Sequence, residues 1–238
     1  AYDVHGNLTT TTDALNNVTT ITYDIRGRKT GMVDPDMGAW SYVHDTLGNL
    51  ISQTDAKYQT ATMVYDKLGR MISRTEVEGD SSWTYDSQWV GALSSETGGI
   101  SSKAYIYDAY GRVKSTTTTI NGQNYDVSTS YDGIGRVSTI TYPNGLIVQR
   151  NYHAASGAFE SATNKLTGAV IWQVNTVDEL GRIREEKFGN GVVTTHNYDQ
   201  VRGTWLGIQS RSGATLIQDW IYDYDVVGNM KTRTYGAI

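Results

Sequence analysis

The chain has 238 residues, room for one large domain or two small ones. Its 20 Lys and Arg against 25 Asp and Glu leave a net charge of −5. This excludes the basic stripe that a nucleic-acid surface needs, and no apolar run approaches the ~20 residues that span a bilayer. The lack of cysteine excludes disulfides, thiol nucleophiles and cysteine-ligated metals.

From the first residues the chain repeats itself. "YDVHGN" begins at Tyr2, "YDIRGR" at Tyr23, "HDTLGN" at His44 and "YDKLGR" at Tyr65, a constant step of 21 residues. Further anchors follow at Tyr85, Tyr107, Tyr131, Tyr152, Val177, Tyr198 and Tyr224, with steps between 20 and 26. In eight of the eleven units an aspartate precedes a glycine by three residues. The pairs are Asp3 and Gly6, Asp24 and Gly27, Asp45 and Gly48, Asp66 and Gly69, Asp108 and Gly111, Asp132 and Gly135, Asp178 and Gly181, and Asp225 and Gly228. Aspartate opening a type I turn accepts hydrogen bonds from amides ahead of it, and the glycine takes the positive φ that closes it. Such a turn ends a hairpin with a bulge. The next residue, Arg28, Arg70, Arg112, Arg136 or Arg182, opens the returning strand.

Midway between these turns lie looser ones: "DPDMG" from Asp34, "EGD" from Glu78, "NGQ" from Asn121, "PNG" from Pro143 and "GNG" from Gly189. Each unit therefore reads as strand, turn, strand, turn, with strands of about seven residues, ~23 Å long. "YHAASGAF" and "YDQVRGTW", whose anchor is followed by Asp199, read as the same turn lengthened by one residue. "SSETGGISSK" from Ser94 reads as a flexible loop. Leu, Ile, Val and Phe make up only about 20% of the chain, which is low for a conventional core, but Thr, Tyr, Val and Ile favour strands. The fold class is all-β: tandem hairpins in a long antiparallel sheet of on the order of 20 strands. Twist forces a sheet that wide to curl or close. Residues 1–238 read as a single segment of about eleven repeats, wound as a spiral or hollow shell and here open.

The repeated aspartates have a glycine at fixed distance rather than a second acid, so turn formation outweighs catalysis or calcium binding. The tyrosines read as packing on the sheet, against the rival of a sugar-binding track. Equivalent tyrosines lie two strands apart, too far to stack directly, so something from the intervening strand must fill the gap. The arginines read as an ion-pair ladder whose stems cover aromatic faces, with cargo binding as the alternative. His5, His44, His153 and His196 lie far apart in sequence, in no metal-ligand spacing. No nucleophile elbow or phosphate loop occurs. No catalytic, cofactor or metal residue is assigned, and no cofactor is expected.

Tandem Tyr-Asp-x-x-Gly-Arg units in phase along the chain resemble the YD repeats of Rhs proteins, of the shell component of insecticidal Tc toxin complexes, and of teneurins. "YDIRGRKTG", "YDKLGRMISR", "YDAYGRVKS" and "YDGIGRVSTITYPNG" carry the likeness. The resemblance implies a bacterial, secreted or cell-surface shell that sterically confines a C-terminal toxin, with no enzymatic role for this segment. The implied partners are the rest of the shell and the enclosed toxin polypeptide, with no nucleic acid and no membrane insertion. The family's Asp-rich self-cleaving segment has no match here, and Ala1 in place of an initiator methionine reads as a piece of a longer chain. Open sheet edges imply edge-to-edge self-association. A rival reading is an adhesin or carbohydrate-binding module with Trp40, Trp83, Trp172 and Trp205 as platforms. A third, an enzyme, would need converging titratable groups, which the sequence does not offer.

Overall fold

The computed structural model describes residues 1–236, and among these there is no helix. The 21 strands fall into two compact units, Ala1–Asp126 and a second that starts at Val127.

Unit 1 opens with an isolated bridge between Tyr2 and Leu8. Then come β1 (Thr10–Thr12), β2 (Val18–Tyr23), β3 (Lys29–Asp34), β4 (Gly38–His44), β5 (Leu50–Thr54) and β6 (Thr60–Tyr65). It continues with β7 (Met71–Glu76), β8 (Gly79–Tyr85), β9 (Leu93–Gly98), β10 (Ser101–Tyr107) and β11 (Val113–Ile120). Each strand pairs antiparallel with the next in sequence. The unit boundary falls within β12 (Gln123–Tyr131). Unit 2 continues through β13 (Val137–Thr141), β14 (Ile147–Tyr152), β15 (Phe159–Asn164), β16 (Val170–Val177) and β17 (Ile183–Phe188). It ends with β18 (Val192–Tyr198), β19 (Trp205–Ser212), β20 (Thr215–Tyr224) and β21 (Met230–Tyr235), paired in the same sequential way.

Period-2 alternation sorts the side chains onto faces. In β4 the half-buried Trp40, Tyr42 and His44 alternate with exposed Ala39, Ser41 and Val43. In β6, Ala61 and Met63 are buried between exposed Thr60, Thr62 and Val64. The register places Tyr42 opposite Gln53, Met63 opposite Arg74 and Trp83 opposite Glu96, so aromatic and methionine side chains lie beside long polar ones on a single face.

There is almost no core. Ala61 and Met63 are the buried hydrophobic residues among those described, beside the buried polar Ser94, Thr139, Thr194 and Ser210. Cohesion therefore comes from the backbone ladder and from cross-strand pairs. Hydroxyls meet across strands between Ser82 and Thr97 at 2.7 Å, Ser130 and Thr139 at 2.6 Å, and Thr194 and Ser210 at 2.8 Å.

"SSETGGISSK" is not a loop. Its two halves form the β9–β10 hairpin, with Gly98 opposite Ser101 and Gly99 at φ 55° making the turn. Serine and glycine suggested a loop by composition, yet Ser94 is buried and its Oγ accepts from the N–H groups of Ser87 and Gln88. The lengthened turns are as expected: the His153 N–H donates to the Ala158 carbonyl and the Asp199 N–H to the Thr204 carbonyl, one residue beyond the ordinary span.

Candidate functional site: an interlocked turn

The recurring chemistry lies at the turn. The Gly27 N–H donates to the Asp24 carbonyl at 3.0 Å and the Asp24 N–H to the Arg28 carbonyl at 2.9 Å, closing a tight loop with Gly27 at φ 75°. The Asp24 Oδ1 accepts from the N–H groups of Arg26 and Arg28, and its Oδ2 accepts from Arg28 Nε at 2.7 Å. One carboxylate thus fixes the turn and orients the arginine after it. The pattern recurs at Asp66 with Arg70, Asp108 with Arg112, Asp132 with Arg136 and Asp178 with Arg182. The Gly69, Gly111, Gly135 and Gly181 φ angles run from 74° to 89°. At Asp3, Asp45 and Asp225 an asparagine, Asn7, Asn49 or Asn229, donates its Nδ2–H to the carboxylate instead, with Gly6, Gly48 and Gly228 in the left-handed region. Asp199 accepts from the N–H groups of Val201 and Arg202, and Gly203 takes the glycine's place in the longer turn.

These bonds hold the turn carboxyls below the usual carboxylate range. At Asp24 and Asp66 the largest cause is the arginine's backbone N–H, and at Asp108 and Asp132 the guanidinium. At Asp178 burial pushes the carboxyl up, and the Arg182 N–H and guanidinium more than offset it. Asp86 is pulled to about 2 by a bidentate Arg70, 3.0 and 2.6 Å away, which is itself pushed up.

The tyrosine ties one repeat to the one before. Tyr23 Oη donates to the Leu8 carbonyl at 2.9 Å, Tyr65 to Leu50 at 3.0 Å, Tyr107 to Leu93 at 2.7 Å and Tyr198 to Ile183 at 3.1 Å. Tyr85 and Tyr152 do the same to Met71 and Val137. Each acceptor lies where the preceding repeat's returning strand begins. In the same gap the preceding arginine lies over the tyrosine ring: Arg70 over Tyr85 at 4.4 Å, Arg136 over Tyr152 at 4.1 Å and Arg182 over Tyr198 at 4.5 Å. The guanidinium fills the two-strand gap between tyrosines. Arg112 lies over Tyr110, within its own turn. Tyr131 and Tyr224 close their strands opposite Val137 and Met230, and Tyr2 is exposed.

The sequence left some partners out of sight. Asp13 and Asp55 open the same turn, with Asn16 at φ 64° and Tyr58 at φ 61° in the glycine's place. In unit 2, Trp172 Nε1–H donates to Glu186 Oε2 at 2.5 Å, and His196 Nε2 lies 3.1 Å from Glu186 Oε1. Phe159 stacks on Trp172, and His196 on both Tyr198 and Trp205. Trp172, Glu186 and His196 are 10 to 24 positions apart in sequence, and cross-strand register unites them.

Trp40, Trp83 and Trp172 are half-buried, and Trp205 is exposed and stacks on His196. Among the described residues, no three His, Asp or Glu side chains gather as a metal site would require.

The model of the teneurin YD-shell family matches residues 1–156. No curated protein matches. Among solved structures, a TcdB2–TccC3–Cdc42 complex aligns over 99% of this chain with a TM-score of 0.80 and 20% identity. TcdB2–TccC3 without its hypervariable C-terminal region aligns over 100%, also at 0.80 and 20%. A Tc holotoxin pore of Photorhabdus luminescens aligns over 99%, at 0.66 and 20%. The chain spans 14 to 15% of the length of those chains. At this identity the likeness shows the fold: the turn-and-strand array described above recurs in them.

Proposed function

The chain belongs to the teneurin YD-shell family, and on that premise we propose that residues 1–238 form one segment, about eleven repeats long, of the wall of a hollow β-shell. The wall confines a polypeptide effector sterically, in a secreted or cell-surface bacterial protein, and this segment takes no covalent step. Its partners are the remaining shell and the enclosed effector.

The interlocked turn carries this reading. A wall has to be continuous without a thick core, because both its faces must remain compatible with water or with a loosely held cargo. Here Asp, Arg and Tyr lock hairpins to their neighbours at Arg70, Arg136 and Arg182, while only two apolar side chains are buried among the described residues. The turn carboxylates are committed to amide, guanidinium or asparagine donors.

The test is protease protection. A full-length protein carrying this segment and a protease-labile C-terminal reporter is compared with one lacking residues 1–238. Protection of the reporter in the first and rapid cleavage in the second support confinement. Equal cleavage in both overturns it.

A further inference from the structure

Most strand tryptophans already have a partner. Trp40 stacks on Tyr42, Trp172 on Phe159 and Trp205 on His196, and Trp220 meets Tyr235 and Arg233. Trp83 in β8 does not. Among the described residues its half-buried ring has no ring or cation against it, and its Nε1–H has no acceptor. Register sets Trp83, Glu96, Lys103 and Thr118 directly opposite one another on β8, β9, β10 and β11. They form one row on one face, with ~4.8 Å between strands.

The charges in this row are loosely paired. Lys103 Nζ lies 3.7 Å from Glu96 Oε1, and the two side chains are 48% and 32% exposed. Such a pair is weak and open to a third group. Tyr105 Oη donates to Glu96 Oε1 at 3.1 Å, which fixes the carboxylate and leaves Oε2 without a donor among the described residues. Gly98 keeps the floor beside Glu96 open, since a Cβ there would meet Ser81 Oγ at 2.9 Å. Trp83, Glu96, Gly98, Lys103 and Thr118 line a cleft of about 240 Å³.

We propose that this cleft binds a phosphocholine-type zwitterion, its quaternary ammonium between the Trp83 ring and Glu96 and its phosphate on Lys103 and Thr118. The order aromatic, acid, base, hydroxyl along the row is the order that such a ligand needs. A quaternary ammonium has no N–H to satisfy, so a π face and a carboxylate suit it. The phosphate accepts from the Lys103 ammonium and the Thr118 hydroxyl. A two-carbon bridge separates the two charges by close to one strand spacing, ~4.8 Å. In an α-amino acid both charges hang on one carbon, too close to span the row. The site stands apart from the shell reading, and either can fail alone.

The test is calorimetric titration of this chain with phosphocholine. Saturable one-to-one binding is expected, with choline alone and inorganic phosphate alone each about tenfold weaker, since each meets half of the row. Trp83→Leu removes the π face and is expected to lose about tenfold, and Trp83→Tyr to retain most of the affinity. Lys103→Gln, at a half-exposed position that leaves the fold intact by circular dichroism, is expected to abolish the preference for phosphocholine over choline. Co-sedimentation with phosphatidylcholine vesicles then tells the source. Capture assigns a lipid headgroup, and soluble binding without capture assigns a free or polymer-borne one; both support the site. No saturable binding at millimolar phosphocholine overturns the proposal. So does unchanged affinity in Trp83→Leu and Lys103→Gln, and so does glucose binding as tightly as phosphocholine, because charge would then play no part.

Discussion

Unit 1 and unit 2 use one turn but secure it differently. In unit 1 the first four anchors keep an unbroken 21-residue step, and the turn residues supply most of the interlock. In unit 2 the step stretches to as much as 26, and aromatic side chains that span strands add to the same turn interlock. Phe159 sits 5.0 Å from Trp172 and 5.8 Å from Tyr152, beneath Arg150 at 4.3 Å. Trp220 meets Tyr235 edge-on at 4.7 Å. A strictly periodic ribbon can rely on one local motif; an irregular one needs contacts particular to each strand pair.

The largest expected effect that would sharpen this contrast is acid loss of structure. Every lowered carboxyl titrates below its unfolded value. Its stabilising contribution is therefore complete above about pH 4 and lost as pH falls through the folded value. Lowered turn aspartates are denser in unit 1, at Asp3, Asp13, Asp24, Asp34, Asp45, Asp66, Asp86 and Asp108, than in unit 2, at Asp132, Asp178, Asp199 and Asp225. Hydrogen-exchange protection, corrected for intrinsic rates, is expected to fall further in unit 1 peptides between pH 5 and acid. Asp86, at about 2, holds longest. Equal loss in the two units would break the comparison.

Next in size is Phe159→Ala. It removes the centre of the unit 2 stack and is expected to cost about 2–4 kcal/mol in urea denaturation, below the fully buried case because Phe159 is half-buried. A cost under about 0.5 kcal/mol, the level of an ordinary surface change, would show that the stack is ornamental.

The smallest effect compares two glycines of unit 1. Gly48 is at φ 99° with open space where a side chain would go, so Gly48→Ala carries only the backbone penalty of about 1–2 kcal/mol. At Gly111 the added methyl also meets the Trp89 ring at 2.7 Å, so Gly111→Ala is expected to cost more. Equal midpoints for the two variants would mean that Trp89 moves aside freely.

Much of this was legible because the turn is a local object. Asp and Gly three apart dictate a loop through amides within five residues, and Arg28 or Asn49 follows in reach of the same carboxylate. The Asp13 and Asp55 turns were missed because Asn16 and Tyr58 stand where glycine was sought. "SSETGGISSK" was misread because composition says nothing about whether Ser94 finds buried amide partners.

From the sequence alone came the repeat, the strand–turn alternation and the all-β class, since each depends on interactions spanning a few residues. Tertiary structure alone decided that Arg70 covers Tyr85 and that Glu186 gathers Trp172 and His196. Those outcomes depend on cross-strand register, where a shift of one residue turns every side chain to the other face.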